Sequence, residues 1–201
     1  MQTTIDFLRH GETAGGSYYR GITDDPLTTL GWQQMNRSVA NQHWDHIISS
    51  PLQRCLDFAQ HMNLQTHIPF SSDANWQEIN FGEWEGKTAA QIDSATLMKF
   101  YQDPVNNTPH NGESFTDFLC RIDQAWNHLI SVHPGKHILV ITHAGVIRSL
   151  FKLLLDLPIA NLFNIQVDLA STTRFQCFHG SSEHFIKLIS HNLASANLYS
   201  K

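Results

Sequence analysis

The chain has 201 residues, 41% of them hydrophobic and 15% charged, with a formal net charge of −5 at pH 7. This composition can bury a core, which excludes a disordered or fibrous protein and predicts one domain over residues 1–201. The acidic balance argues against nucleic acid or an anionic membrane surface as the main partner. No apolar run approaches the roughly 18 residues of a membrane span, and the first residues lack a signal-peptide pattern. Together with three widely spaced cysteines, these features predict a cytoplasmic protein.

The predicted elements alternate between strand and helix along the chain. Apolar runs and helical periodicities predict, in order, a strand at 4–8, a helix at 27–42, a strand at 46–48, a helix that starts at Ser50-Pro51, and a helix opened by the capping box Thr88-Ala89-Ala90-Gln91. The pattern continues with a helix at 115–130, a strand at 137–142, a helix at 145–155, and strands at 165–169, 172–178 and 185–189. This order predicts an α/β fold, a three-layer α/β/α sandwich with a mostly parallel central sheet.

Chemistry-bearing residues follow three of the predicted strands. Arg9 and His10 follow the first, Ser50 to Arg54 follow the second, and His143 follows the strand at 137–142. Ligands of an open parallel sheet bind beyond the carboxyl ends of its strands, so these segments are expected to meet in one crevice. Two arginines, two histidines and a helix N-terminus in one place are suited to binding phosphate.

The same segments, together with others in order along the chain, resemble the histidine phosphatase superfamily, the phosphoglycerate mutase-like proteins. The resemblance spans nearly the whole chain and depends on residues 8–13, 21, 25–28, 31, 49–54, 78–86, 112–115 and 142–146. It implies that His10 is the nucleophile that becomes phosphohistidine and that Glu78 is the proton donor. It also implies that Arg9, Arg54 and His143 bind the phosphate.

These implied roles agree with the chemistry of the residue types. A neutral imidazole is a competent nucleophile near pH 7 when its other nitrogen is held by a hydrogen bond. Two arginines and a protonated His143 would stabilise the transferring phosphoryl group, so that neither a metal ion nor a cofactor is expected. A nearby phosphate dianion and partial burial would favour the protonated form of Glu78, which the leaving oxygen needs.

Four residues are further candidates for substrate contacts: Thr13, Arg20, Gly21 and Arg148. Arg20 and Gly21 lie where the resemblance places substrate contacts, and Arg148 lies about one helical turn beyond the His143 segment. Each of the two arginines could instead pair with a surface acid.

Other charged and titratable residues have simpler interpretations. Glu83 and Glu85 alternate around Trp84 and are expected on a solvated face. His43 and His46 could be metal ligands, but no third ligand follows at a diagnostic spacing, which favours surface histidines.

The substrate class is narrowed by the resemblance. The segment between Glu78 and Gly112 is short, which favours a phosphatase over a mutase with a longer lid. Arg20-Gly21 and Gly-Glu-Ser-Phe at 112–115 are similar to α-ribazole phosphatases, which implies α-ribazole 5′-phosphate as the small-molecule phosphate ester and a role in cobalamin biosynthesis. A broad-specificity phosphatase, a mutase-type phosphotransferase, a metallohydrolase and a phosphate-binding module without turnover stay open as alternatives. The chain is expected to act as a monomer or homodimer.

Overall fold

The computed structural model describes residues 1–181 and 183–193. The strands in this part of the chain are β1 (Gln2–Arg9), β2 (His46–Ser49), β3 (Phe70–Ser72), β4 (His137–Thr142), β5 (Thr172–His179) and β6 (His184–Leu193). The α-helices are α1 (Thr29–Val39), α2 (Gln53–Thr66), α3 (Ser94–Gln102), α4 (Phe115–Val132) and α5 (Ala144–Leu155). No helix among the described residues combines the length and the apolarity needed to cross a bilayer.

All six strands form one sheet in the order β3-β2-β4-β1-β5-β6. The first four strands in that order are parallel, whereas β5 pairs antiparallel with β1, and β6 antiparallel with β5. The predicted α/β fold with a mostly parallel central sheet is therefore confirmed. Because β1, β2 and β4 are neighbours and run the same way, their carboxyl ends open at the same edge of the sheet.

Helices cover both faces of this sheet because the central strands are apolar on both sides. Phe7 and Val140 belong to a core that packs against α4 and α5. Leu8 and Ile141, the next residues along each strand, belong to a second core that packs against α1 and α2. This alternation follows from the period of two along a strand. The layers place the helix N-termini of α2 and α5 at the open edge.

A buried carboxylate joins three elements inside the fold. Asp6 in β1 accepts hydrogen bonds from Arg174 Nε (2.6 Å), His137 Nε2 (2.8 Å) and Trp44 Nε1 (2.9 Å). Burial by itself would raise the pKa of Asp6, but these hydrogen bonds, led by that of Arg174, lower it to about 2. The ionised form of Asp6 therefore stabilises the folded state at neutral pH.

The helix predicted at Ser50-Pro51 begins later than expected. The residue that caps α2 is Leu52, which has no side chain able to cap, and the first helical residue is Gln53. The Gln53 N–H donates instead to Asp24 Oδ1, at 2.7 Å. A carboxylate from a distant loop thus caps this helix, so the Gln53 amide is not free for an anion as the sequence suggested.

The predicted strand at 165–169 is wrong. These residues form no strand, because their backbone carbonyls serve side chains and not a neighbouring strand. The carbonyl of Val167 accepts from Arg9 Nη1 (2.6 Å), and the carbonyl of Ile165 accepts from Arg148 Nε (3.0 Å).

Three further local differences concern short elements. The capping box at Thr88 forms as predicted, but it opens only a 3-10 turn at Ala89–Gln91. Helix α3 follows it and was not predicted; its N-cap Asp93 accepts from the Thr96 N–H at 2.8 Å. Strand β3, which is three residues long, was also missed because it is too short to show a pattern.

Candidate active site

Two of the predicted segments meet where β1 and β4 end. The His10 N–H donates to the Thr142 carbonyl at 3.0 Å, which continues the register of the two strands by one residue. His143 follows Thr142 as the N-cap of α5, so the rings of His10 and His143 lie with their centroids 5.3 Å apart. Arg54, in the first turn of α2, reaches them through its Nε, which is 3.3 Å from His143 Nδ1.

His10 is held as a neutral imidazole whose second nitrogen makes no hydrogen bond within the described part of the chain. Its Nδ1 lies 2.8 Å from the Gly11 carbonyl, which can only accept, so Nδ1 carries the ring proton and Nε2 keeps its lone pair. Burial, reinforced by Arg54 and Arg9, holds the pKa of His10 well below its usual range. The ring therefore stays neutral near pH 7, the state that a nucleophile needs.

Arg54 is completely buried and positioned by backbone carbonyls. Its Nη1 donates to the Thr23 carbonyl (2.8 Å) and its Nη2 to the Gly21 carbonyl (2.7 Å). With Nε directed at His143, three of the five guanidinium N–H groups are used. The remaining N–H groups can serve an anion beside His10.

Arg9 has hydrogen-bonding capacity to spare. Its Nη1 donates to the Val167 carbonyl at 2.6 Å, but its Nε is buried without a partner among the described residues. Burial lowers the pKa of Arg9 to about 10, opposed in part by the charge of Glu78. The guanidinium therefore remains charged at neutral pH.

The expectation of a protonated His143 is wrong for the structure. Its Nδ1 accepts from Arg54 Nε, so the ring proton resides on Nε2, which lies 2.8 Å from Ser50 Oγ. Complete burial, followed by the charge of Arg54, holds the pKa of His143 well below its usual range. His143 is therefore a neutral, oriented ring, and the positive charge of the site comes from the arginines.

Glu78 lies against the N-terminus of α5. Its Oε2 accepts from the Gly145 N–H at 3.0 Å, and its Oε1 accepts from its neighbour Ile79 N–H at 3.1 Å. A Cβ on residue 145 would lie 2.2 Å from the carboxylate, so only glycine permits this approach. Glu78 is buried, with 8% of the residue exposed. Burial lowers the pKa values of Arg9 and Arg148, and the charge of Glu78 partly opposes this effect.

Arg121 of α4 fastens the Glu78 segment and was missed by the sequence analysis. Its Nη1 donates to the carbonyls of Asn75 (2.7 Å) and Gln77 (2.8 Å), and its Nη2 donates to that of Glu78 (3.1 Å). Its Nε and Nη2 bind the two carboxylate oxygens of Glu113 at 2.6 and 2.9 Å. Arg121 borders the buried face of α4, where its guanidinium lies 4.7 Å from the centroid of the Phe118 ring. The sequence pattern alone does not reveal which carbonyls such a residue binds.

Glu85 is not on a solvated face, so that expectation is wrong. Its carboxylate accepts from the backbone N–H groups of Gly21, Ile22, Thr23 and Phe81 and from the Thr23 hydroxyl. The carbonyls of Gly21 and Thr23 in turn hold Arg54. Glu85 therefore holds the loop at residues 21–23, whose carbonyls position Arg54, a candidate for phosphate binding.

Two neighbouring cavities lie beside Arg9. One, of about 510 Å³, is lined by residues that include Arg9, His10 and Thr13. The other, of about 620 Å³, is lined by Arg9 and Arg148 and by a set of aromatic residues: Tyr18, Tyr19, Phe81, Phe100, Tyr101 and Phe163. Both are lined by Arg9, Tyr18 and Arg20. We call the second cavity the aromatic chamber.

The candidates for substrate contacts divide between these cavities and the loop beneath them. Thr13 lines the first cavity, Arg148 the aromatic chamber and Arg20 both. Arg20 is already engaged, since its Nε donates to Asp25 at 2.7 Å and its guanidinium stacks on Tyr18. Gly21 lies under Arg54, and a Cβ there would lie 1.9 Å from the Ile79 carbonyl. Gly21 therefore acts through its carbonyl, which accepts a hydrogen bond from Arg54.

The family of the chain follows from comparison with known proteins. The model of the histidine phosphatase superfamily (branch 1) matches residues 5–187. The chain belongs to this superfamily. The resemblance drawn from the motifs is thereby confirmed.

Several phosphatases of this superfamily are similar to the chain. The glucosyl-3-phosphoglycerate phosphatase of Mycolicibacterium vanbaalenii is 30% identical over 168 residues, which cover 77% of this chain and 75% of the relative. The adenosylcobalamin/alpha-ribazole phosphatase of Salmonella typhimurium is 27% identical over 169 residues, which cover 80% and 84%. The native structure of a mycobacterial glucosyl-3-phosphoglycerate phosphatase superposes with a TM-score of 0.85 at 27% identity, covering 96% of this chain and 100% of that one.

A longer relative matches over only part of its length. The bifunctional protein of Mycobacterium tuberculosis is 30% identical over 196 residues, which cover 93% of this chain and 53% of the relative. The chain therefore spans about half the length of that protein.

Proposed function

We propose that this chain is a phosphomonoesterase that transfers the phosphoryl group of a small-molecule ester first to His10 and then to water. One arrangement carries the proposal: a neutral His10 that lines a cavity beside Arg9 and Arg54, with an Nε2 that makes no hydrogen bond to any described residue. A module that only binds phosphate would need the arginines but not a nucleophile prepared in this way. The similar phosphatases support the same reaction class.

In the first step, Nε2 of His10 attacks the phosphorus atom. A P–N bond forms while the P–O bond to the leaving alcohol breaks. Arg9 and Arg54 direct positive charge at the phosphoryl oxygens, where charge develops in a loose transition state. Glu78, in its protonated form, gives its proton to the leaving oxygen.

In the second step, Glu78 acts in the opposite direction. Its carboxylate takes a proton from water, the water oxygen bonds to phosphorus, and the P–N bond breaks. His10 returns to its neutral form, inorganic phosphate leaves, and Glu78 again holds the proton. No group outside these side chains is required, so we propose that the reaction needs no metal ion or cofactor.

The aromatic chamber supports a leaving group that carries a ring. The leaving oxygen must lie near Glu78, and Arg148, which lines the chamber, is close enough for its charge to interact with Glu78. Aromatic walls favour a planar or apolar ring by stacking and burial. α-Ribazole 5′-phosphate, whose alcohol contains a benzimidazole ring, is therefore the first candidate substrate.

Arg148 favours a second candidate. Its Nε donates to the Ile165 carbonyl, and it makes no other hydrogen bond among the described residues, so its remaining N–H groups can bind an anion of the leaving group. Glucosyl-3-phosphoglycerate, the substrate in the name of one relative, would supply a carboxylate there.

Rapid-quench labelling tests the reaction. With ³²P-labelled substrate, the wild-type chain is expected to form an acid-labile, base-stable phosphoprotein, and His10→Ala is expected to abolish both the label and hydrolysis of p-nitrophenyl phosphate. His128→Ala, which changes an exposed histidine of α4, is the matched control and should retain both. Label that persists in His10→Ala would contradict the proposed nucleophile.

A substrate panel tests the leaving group and the alternatives. We expect α-ribazole 5′-phosphate or glucosyl-3-phosphoglycerate to be hydrolysed with higher kcat/KM than simple alkyl phosphates, and activity to persist in EDTA. Isomerisation of 3-phosphoglycerate with its bisphosphate would favour the mutase alternative. Loss of hydrolysis on chelation, restored by metal, would favour a metallohydrolase.

A further inference from the structure

Three side chains with metal-binding atoms lie together on the β5–β6 hairpin. One donor atom from each of Cys177, His179 and His184 lies within 4.8 Å of the others. His179 and His184 are cross-strand partners whose ring centroids are 4.9 Å apart. Cys177 precedes His179 by two residues, so both side chains point to the same face of the sheet.

This group lies far from the catalytic residues along the sheet. Cys177 pairs with Thr3 near the start of β1, whereas Arg9 and His10 lie at the other end of that strand. None of the three residues lines either catalytic cavity. Any ion bound here would therefore not touch the phosphoryl group.

His179 is anchored in the way that metal-bound histidines usually are. Its Nε2 lies 2.7 Å from Thr3 Oγ1, and Thr3 can direct its own hydroxyl proton to the His133 carbonyl at 3.2 Å. Nε2 can then donate to Thr3, which leaves the lone pair of Nδ1 available to an ion. A hydrogen bond from the second ring nitrogen to a protein group orients most histidine ligands.

We propose that Cys177, His179 and His184 bind one ion of the zinc class, with Nδ1 of His179 as a ligand and a water in the fourth position. A thiolate and two imidazoles are ligands that Zn²⁺ prefers, and donor atoms in a tetrahedral site are about 3.3–3.8 Å apart. The donor atoms must therefore move closer together than the 4.8 Å within which they now lie, and the exposed His184 side chain is free to make this movement. On binding, the Cys177 thiol releases its proton to solvent as the metal–sulfur bond forms.

The ligand types determine how binding depends on pH. The thiolate is the form of Cys177 that coordinates a metal ion, so the ion must displace a proton and binding should weaken as pH falls. The expected consequence is a hairpin fastened by the ion, which stabilises the folded chain by mass action.

Cobalt substitution tests the site in tag-free, full-length protein. We expect one equivalent of Co²⁺ to give intense tetrahedral d–d bands and a thiolate-to-cobalt charge-transfer band, both displaced by Zn²⁺. His184→Gln should weaken Co²⁺ binding by at least about tenfold, since even loss of a group that orients a ligand costs this much. Cys177→Ser should remove the charge-transfer band. Cys120→Ser, at an exposed cysteine outside the group, should change neither property.

A second variant tests the site even if Cys177→Ser folds poorly. His184 is exposed, so His184→Gln is expected to fold normally, and loss of the Zn²⁺-dependent rise in Tm in that variant supports the site. Equal Co²⁺ affinity in wild type and His184→Gln, or a charge-transfer band lost only in Cys120→Ser, would overturn the proposal. Hydrolysis of p-nitrophenyl phosphate should be unchanged by Zn²⁺ at this site.

Discussion

Arg121 is expected to act on catalysis without touching the substrate. Its guanidinium makes five hydrogen bonds, three to the carbonyls of Asn75, Gln77 and Glu78 and two to Glu113. These bonds hold the backbone of the segment from which the Glu78 carboxylate reaches the N-terminus of α5. Arg121→Met removes all five and should let Glu78 move away from the leaving oxygen.

The size of the effect depends on how much the proton from Glu78 is needed. General acid–base catalysis contributes about 10²- to 10⁴-fold, and a displaced Glu78 should forfeit much of this for an alkyl phosphate, whose leaving oxygen must be protonated. We therefore expect kcat/KM for an alkyl phosphate to fall about 100-fold, or about 3 kcal/mol. For p-nitrophenyl phosphate, whose phenolate leaves readily, the loss should stay within about threefold.

The assay is the ratio of kcat/KM for the two substrates, measured in wild type, Arg121→Met and Arg121→Lys. Lysine keeps the charge but lacks the planar fork, so it should restore the ratio only in part. Arg37→Met, at an exposed position of α1, is the matched control and should behave as wild type. Unfolding in urea should show a loss of about 2–4 kcal/mol for Arg121→Met, because charged hydrogen bonds at a mostly buried pair are lost.

A merely structural role would produce a different pattern. If Arg121→Met lowers kcat/KM equally for both substrates, or leaves both unchanged, the proposed positioning of Glu78 by Arg121 is refuted. The comparison is made on folded protein, so reduced stability alone does not change the ratio.

Four further predictions concern Asp6, His10, Arg148 and Glu85. Asp6 has a folded-state pKa of about 2, below the roughly 3.9 of an unfolded aspartate, so its contribution of about 2 kcal/mol to the free energy of unfolding is complete above pH 4 and lost as pH falls towards 2. The difference in unfolding free energy between wild type and Asp6→Asn should therefore disappear over that range, and a constant difference would contradict this. The ring of His10, whose pKa is held well below its usual range, should show no NMR titration between pH 8 and 6.5; a midpoint near 6.5 would mean that the nucleophile is not kept neutral. Arg148→Met should lower kcat/KM for glucosyl-3-phosphoglycerate about tenfold and leave p-nitrophenyl phosphate within about twofold; equal losses would exclude a contact with the leaving group. Glu85→Gln should lower the unfolding free energy by about 1–3 kcal/mol, because the glutamine NH₂ group would face backbone N–H groups that now donate to the carboxylate. It should also lower kcat/KM for every substrate; full activity would show that the loop does not position Arg54.

Strong local patterns gave reliable expectations for the main elements. The continuous apolar run at 137–142 and the amphipathic stretch at 115–130 correspond to β4 and α4. Both are long or apolar enough to outweigh any competing local preference. The order of strands and helices also predicted where Arg9, His10, Arg54 and His143 would lie, because parallel strands bring their carboxyl ends to one edge.

Short or irregular segments were predicted poorly because distant partners decide them. The apolar residues at 165–169 suggested a strand, yet their carbonyls accept from Arg9 and Arg148. The start of α2 was misplaced because its cap is Asp24, which lies 29 residues before Gln53. No window of local sequence contains both members of such a pair.

The amino-acid sequence by itself therefore determined the family, the order of the elements and which side chains meet at the open edge of the sheet. Only the tertiary structure shows the protonation states of the two histidines and the hydrogen bonds from Arg121 to the Glu78 segment. The same is true of the loop that Glu85 holds beneath Arg54 and of the group of Cys177, His179 and His184 on the hairpin. Each of these depends on burial or on contacts between residues far apart in the chain. Local periodicity reports which face of an element is buried, but not which polar group will be its neighbour.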